Sequence, residues 1–396
     1  MQPPLLMAFS QQRWSSGHQR AQHLLSRLAG RWRVLFVEAP VHVTGTAWLE
    51  EQRRGPQLTV LVPHMPPAPP GLPDEPLSLL RTQLDRYLLR TRQRVDVAWL
   101  DSPLALPVAQ SVRAPCLVYD CMDPMTAGNG APLQLHPHEA ALLRQATLVL
   151  TGGPSLYEAR RDQHAQVVCL PSAVDSGHYA PEQLQMHSAP ACQVQLLQGG
   201  LPRPRLGFFG SIDERFDGEL VAQIADAHPE WTLVMAGPLV GIDAGALPQR
   251  PNIHWLGPQP YARLPYLLAG WELCLMPFAL NESTRYFSPS ETLQYMAGGK
   301  PVLSTPVHDV AWLYSDAVAI APRGQPFVEA CEALLSEAPA ARAQRELQML
   351  SAVSASSWDR SAQAVHELLL PALADAREGQ RPLPLAAAAP HRAATR

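Results

Sequence analysis

The chain has 396 residues, with 46% apolar and 17% charged content and a formal net charge of -4. That length and apolar fraction suit two α/β domains of roughly 180 residues each, with large cores. The charge balance lacks the basic excess that would advertise nucleic acid, and no apolar run reaches the ~18 residues that a bilayer span needs.

In chain order, short apolar runs alternate with helical patterns. Strands are expected at 5–9, 34–38, 58–62, 95–100, 116–119, 147–150 and 167–170, with helices at 19–28, 77–93 and 138–145. This is a parallel-sheet rhythm. Residues 63–76 are Pro-rich and read as a loop, whereas 176–204, where Pro, Gly and polar residues gather, read as a domain boundary. A second unit then begins, with strands at 205–209, 231–237, 253–256, 273–277, 302–304 and 317–321 and helices at 325–335, 340–352 and 358–374. The expected fold class is therefore α/β: an N-terminal Rossmann-like domain over 1–185 and a second over 200–355. The Pro-, Ala- and Arg-rich residues 377–396 read as a disordered tail.

The block 280–310, LNESTRYFSPSETLQYMAGGKPVLSTPVHDV, is the most informative. Ser288 and Ser290 flank Pro289 as at a helix start, Leu293, Met296 and Ala297 form an apolar stripe, and Gly298-Gly299 ends the helix before a buried strand. A helix start opening into a cleft offers free amides to a diphosphate. Neither half carries a GxGxxG dinucleotide fingerprint, and Gly298-Gly299-Lys300-Pro301 lacks the hydroxyl residue and first glycine of a P-loop. Nicotinamide and ATPase chemistry are excluded on that basis. The six cysteines are scattered without a CxxC pair, and His136 and His138 have no cysteine ligands nearby, so free buried thiols and no metal are expected. With no charged-then-apolar signal pattern at the N-terminus, a cytoplasmic protein is expected, with room for a peripheral contact at the inner face of the cell membrane.

The 280–310 block resembles the donor-binding signature of GT-B glycosyltransferases, in the group related to glycosyltransferase families 1 and 4. FSQQRWSSGHQRAQHLLSRLA (9–29), VLFVEAPV (34–41), VYDCMDPMTA (118–127), TGGPSLYEARR (151–161), PSAVD (171–175) and GFFGSIDERFD (207–217) precede it in the order and spacing of a bacterial subgroup. The resemblance covers most of residues 5–370 and implies two Rossmann-like domains facing a cleft, with a last helix, 356–376, crossing back to the N-terminal domain. It implies a nucleoside-diphosphate sugar, most simply UDP-hexose, as co-substrate, and no separate cofactor. The implied acceptor is a glycan, a lipid-linked molecule or a small molecule; no protein partner is implied.

Residue by residue, the resemblance places the donor on Gly210, Ser211, Arg215, Tyr261, Asn281, Arg285, Ser288, Ser290, Glu291, Thr292 and Gln294. Arg215 and Arg285 suit phosphate oxygens; the alternatives are a solvated helix-start charge for Arg215 and a rim pair with Glu282 for Arg285. Arg13, Trp14, Gln19 and Arg20 fall where acceptor contacts are implied; Trp14 suits a sugar face or the core. Asp123 is the implied helper at the reaction centre or, alternatively, a helix cap, and Ser155 is a cap or a phosphate contact. Four positions depart from the pattern. Gln294 stands where relatives place a ribose-bridging Glu, Glu291 where the close subgroup has Lys, Tyr286 where the wider family has a second Glu, and Gln11 where a His is common. The implied activity is retaining, metal-independent sugar transfer. A degenerate binding or scaffold protein and a nucleotide-sugar epimerase are the alternatives.

Overall fold

A computed structural model describes residues 2–16, 19–67, 75–122 and 135–379. The N-terminal part builds a sheet from β1 (Leu5–Phe9), β2 (Arg33–Val37), β3 (Val41–His42), β4 (Trp48–Arg53), β5 (Leu58–Met65), β6 (Val97–Leu100), β7 (Cys116–Cys121), β8 (Leu148–Thr151) and β9 (Val167–Cys169). Its order is β3-β5-β2-β1-β6-β7-β8-β9, with β4 antiparallel on β5 and every other pairing parallel. Along β1, Leu6 and Ala8 join one core with Val34 and Phe36, while Leu5, Met7 and Phe9 join another with Leu35 and Val37. Burial on both faces is what helices on either side of a parallel sheet demand. Helix Arg20–Leu28 lays Leu24, Leu25 and Leu28 on the first of these cores, and Gln22 Oε1 accepts from the Gln19 amide at its start (3.2 Å).

The C-terminal part adds β10 (Arg205–Phe209), β11 (Thr232–Ala236), β12 (Ile253–Trp255), β13 (Leu273–Met276), β14 (Val302–Ser304) and β15 (Ala319–Ile320). They form a wholly parallel sheet in the order β12-β11-β10-β13-β14-β15. In each sheet the order reverses beside the first strand, at β1/β6 and at β10/β13. Such switch points open crevices at the carboxyl ends of the strands.

The last helix, Trp358–Gly379, belongs to the first core: Trp358, Ala362, Val365, Leu369 and Leu373 are buried there, on one stripe. Trp358 stacks on His23 (centroids 4.9 Å apart), and Trp32 Nε1 donates to His366 Nδ1 at 3.0 Å. The two stretches of chain that connect the domains touch, the Val174 amide donating to the Ser356 carbonyl at 3.1 Å.

Several expectations need correction. Strand β5 runs through Met65 into the stretch read as a loop, and 176–204 carries helices Ser176–Tyr179 and Ala189–Gln198. The last helix reaches Gly379 and so takes in the first residues expected to be tail; residues 380–396 lie outside the described residues. Strands β3 and β4 were not anticipated. Among the described residues no helix is long and apolar enough to cross a membrane.

Candidate functional site

The two switch points face each other across a cleft of about 760 Å³. Its N-terminal wall is made by residues that follow β1 and β6 and by the end of β7: Gln11, Gln12, Gln19, Arg20, Asp101 and Asp120. Arg20 and Asp120 are a buried pair. Arg20 Nε donates to both carboxylate oxygens at 3.1 Å, and Nη1 donates to the Leu170 carbonyl at 2.8 Å. Asp101 Oδ2 accepts from the Ser10 hydroxyl at 2.5 Å, whereas its buried Oδ1 has no partner. Burial pushes the Asp101 carboxyl up to about 6; the Ser10 hydrogen bond opposes this and the nearby Asp120 charge adds to it.

The C-terminal wall is built on close backbone approach. Gly210 has φ +155°, and a Cβ on Gly237 would stand 1.7 Å from the Gly210 carbonyl oxygen. Only glycines let these two strand ends lie so close beneath a ligand. Ser211, Arg215, Ser288, Ser290, Glu291 and Gln294 line the same wall. Arg215 holds Asp213 (Nη2 to Oδ2 2.5 Å) and lies 4.3 Å over the Phe287 ring. Glu291 is half-buried, with Oε1 directed at Gly210: a Cβ added there would meet it at 2.9 Å. Burial raises the Glu291 carboxyl, against the stabilising effect of its backbone hydrogen bond and of Arg215. At the far end Tyr261 stacks on His178, ring centroids 3.9 Å apart.

The expected residues therefore divide. Gly210, Ser211, Arg215, Tyr261, Ser288, Ser290, Glu291 and Gln294 meet Gln19 and Arg20 in the cleft. Asn281 and Arg285 lie instead in a separate groove with Ser155 and His308. There Asn281 Oδ1 accepts from the Thr284 amide at 3.1 Å, and Arg285 sits 3.6 Å from Glu282, the rim pair that was its alternative reading. Thr292 is fully buried, its hydroxyl donating to the Pro289 carbonyl at 3.0 Å. Trp14 is a packing residue, edge-on to Phe36 at 5.0 Å, and neither it nor exposed Arg13 lines the cleft. Ser290 stands at the cap position of helix Glu291–Ala297 but has helical φ and ψ in place of the extended ones a capping side chain needs, and makes no side-chain cap. The Ser155 amide donates to Asp309 Oδ1 across the domain interface at 3.0 Å, the capping role reversed. Asp123 lies outside the described residues.

No protein-family model matches the chain. A Bacillus subtilis (strain 168) protein named as a teichuronic acid biosynthesis glycosyltransferase, TuaH, is 25% identical over 138 residues, covering 33% of this chain and 35% of that protein. The match thus spans about a third of that relative's length. Similarity to solved structures extends over nearly the whole chain. Sucrose-phosphate synthase from Thermosynechococcus elongatus superposes with a TM-score of 0.70 at 15% identity, covering 94% of this chain and 100% of that one. Anabaena HepE, in complex with UDP and glucose, gives 0.66 at 15% identity with 92% and 99% covered. An Escherichia coli trehalose-6-phosphate protein bound with UDP-2-fluoro glucose gives 0.67 at 12% identity with 92% and 98% covered. The chain has the GT-B fold.

Two carboxylates of this GT-B cleft escaped the sequence reading in their present roles. Asp101 directly follows the apolar run of β6, one strand before the one that carries Asp120. The pairing of Asp120 in β7 with Arg20, a hundred residues earlier, leaves no mark in the local sequence.

Proposed function

We propose that this GT-B protein is a glycosyltransferase that moves a hexose from a UDP-sugar to a glycan, lipid-linked or small-molecule acceptor, with retention and without a metal. One observation carries the reading: the cleft joins a donor-type wall, with closely apposed Gly210 and Gly237 beside Arg215, to a polar wall bearing Asp101. In this reading Arg215 and the amides around Gly210 and Ser211 stabilise the departing diphosphate. Tyr261 borders the base, and Gln294 accepts from ribose hydroxyls. Asp101 lines the acceptor side, and a small movement that uncovers its buried, unpartnered Oδ1 would let an acceptor hydroxyl supply the missing donor. Closure around both substrates excludes water and aligns the attacking hydroxyl. A lipid-linked acceptor would bring the chain to the inner face of the cell membrane. The similarity to GT-B structures bound with UDP and UDP-2-fluoro glucose supports the choice of nucleotide.

A non-catalytic binding role is favoured by Glu291 and Gln294, which put an acid and a neutral amide where related sites have Lys and Glu. One assay separates the readings: release of nucleoside diphosphate from a panel of nucleotide sugars, with and without candidate acceptors, beside Arg215→Ala. Acceptor-stimulated release lost in the variant supports transfer; an altered sugar formed from donor alone indicates an epimerase. Thermal stabilisation by nucleotide sugars without turnover indicates a binding protein. Neither release nor stabilisation, in a folded sample, would refute the donor site.

A further inference from the structure

The cleft is poor in positive charge for a site that takes a diphosphate. Its lining carries Arg20 and Arg215 against Asp101, Asp120, Asp175 and Glu291. Arg20 is committed to Asp120, and Arg215 to Asp213 just beneath the surface. Around a Cβ built on Gly210, where a phosphate would rest, the Glu291 carboxyl oxygen at 2.9 Å is the nearest polar atom, level with the Phe208 ring edge. Ionised, that carboxylate would repel the ligand across a few ångströms in a partly dry cleft. Neutral, it turns from acceptor into donor.

We propose, resting on the donor-site reading above, that Glu291 is the specificity-determining residue of the phosphate site and that a nucleotide sugar enters with Glu291 as the neutral acid, its O–H donating to a phosphate oxygen. Where the pH lies above the titration of free Glu291, one proton is taken from solvent for each ligand bound; below it the acid is already neutral and none is taken. The surroundings favour the neutral form in the free protein. Asp213 faces Glu291 and opposes its ionisation, Arg215 favours it, and Tyr179 from helix Ser176–Tyr179 and Tyr295 one turn along add no positive charge. Burial is the largest influence and raises the carboxyl.

The test uses the full chain and the UDP, dTDP, ADP and GDP esters of glucose, whose diphosphate diesters do not titrate near neutrality. Affinity is measured by calorimetry from about pH 5 to about pH 8, in buffers of different ionisation heat. Wild-type affinity falls about tenfold per pH unit above the Glu291 titration, and the buffer dependence of the heat reports one proton bound. Glu291→Gln, which offers an N–H in place of the O–H, binds without that slope. A slope that came from His23 in the cleft or His178 beside it would persist in Glu291→Gln. A wild-type affinity that stays flat, without proton uptake, across the pH at which the carboxylate infrared band of the free protein shows Glu291 ionising overturns the proposal even if the variant fails to fold, and so does a slope retained in Glu291→Gln. No binding of any ester at any pH, by wild type or variant, overturns the donor reading itself.

Discussion

Replacing Arg20 with leucine strands the Asp120 carboxylate in the floor of the cleft. Asp120 is 2% exposed and Arg20 8%, and the guanidinium supplies Asp120 with both its Nε hydrogen bonds and an Nη2 contact at 3.0 Å. Removing one partner of such a pair costs about 3–5 kcal/mol, because the remaining charge is left buried. The Leu170 carbonyl also loses a donor at 2.8 Å. For a domain of this size each kcal/mol lowers the melting midpoint by about 2–4 °C, so Arg20→Leu should lower it by about 10 °C. Asp120→Leu should cost a similar amount by stranding the guanidinium. The double variant, with neither charge, should recover most of the loss, giving a coupling energy of at least about 2 kcal/mol. Urea or thermal denaturation of the four proteins measures the cycle. Were Arg20→Leu to cost less than about 1 kcal/mol, or the double variant the sum of the two singles, the pair would not be the structural bond described. Arg20 would then be available to an acceptor, as first expected.

Gly237→Ala should cost about 1–3 kcal/mol and weaken nucleotide-sugar binding at least tenfold, since its Cβ would fall 1.7 Å from the Gly210 carbonyl and part the two strand ends; wild-type melting and titration curves would show that the close approach is immaterial. Asp101 makes a pH-dependent contribution whose sign follows from its raised carboxyl, about 6 against about 3.9 unfolded. Between about pH 4 and about pH 6 the native chain holds a proton that the unfolded chain has released, so this contribution to stability falls as pH rises, by about 2–3 kcal/mol in all. Asp101→Asn should therefore gain on wild type through that window and hold its advantage above it, and parallel stability curves would sink the idea. Exposed Cys192 should react first with a thiol reagent in the native state, while burial raises the thiols of Cys116, Cys121, Cys274 and Cys331 and shields them until unfolding. Mass spectrometry of the partially labelled chain identifies the site.

Strands such as Leu5–Phe9, Arg205–Phe209 and Val302–Ser304 were legible to the residue because a buried parallel strand is a continuous apolar run with no competing period. Strand β4, WLEEQR, was not: it is an antiparallel strand against β5, largely exposed, and its acidic and basic residues face solvent. At the cleft, the glycines and the order of the 280–310 block announced a ligand wall. Which polar residues face it depends on side-chain direction and on partners far away in sequence. Asn281 and Arg285, only a few residues from Ser288, cap the two ends of a short 3₁₀ turn at Glu282–Thr284 and line another groove. Thr292 follows Glu291 directly, yet one step around the helix carries it from the cleft into the core.

The return of helix Trp358–Gly379 to the first domain also governs the timing of synthesis. A ribosome has made residues 2–170 long before Trp358, Val365 and Leu369 exist, so the nascent first domain holds Leu24, Leu28 and Trp32 without their natural cover. The second domain carries its own core and can fold as soon as its sheet has emerged. The domain made first is therefore the one finished last, and the interval between is when its apolar face is open to chaperones or to aggregation.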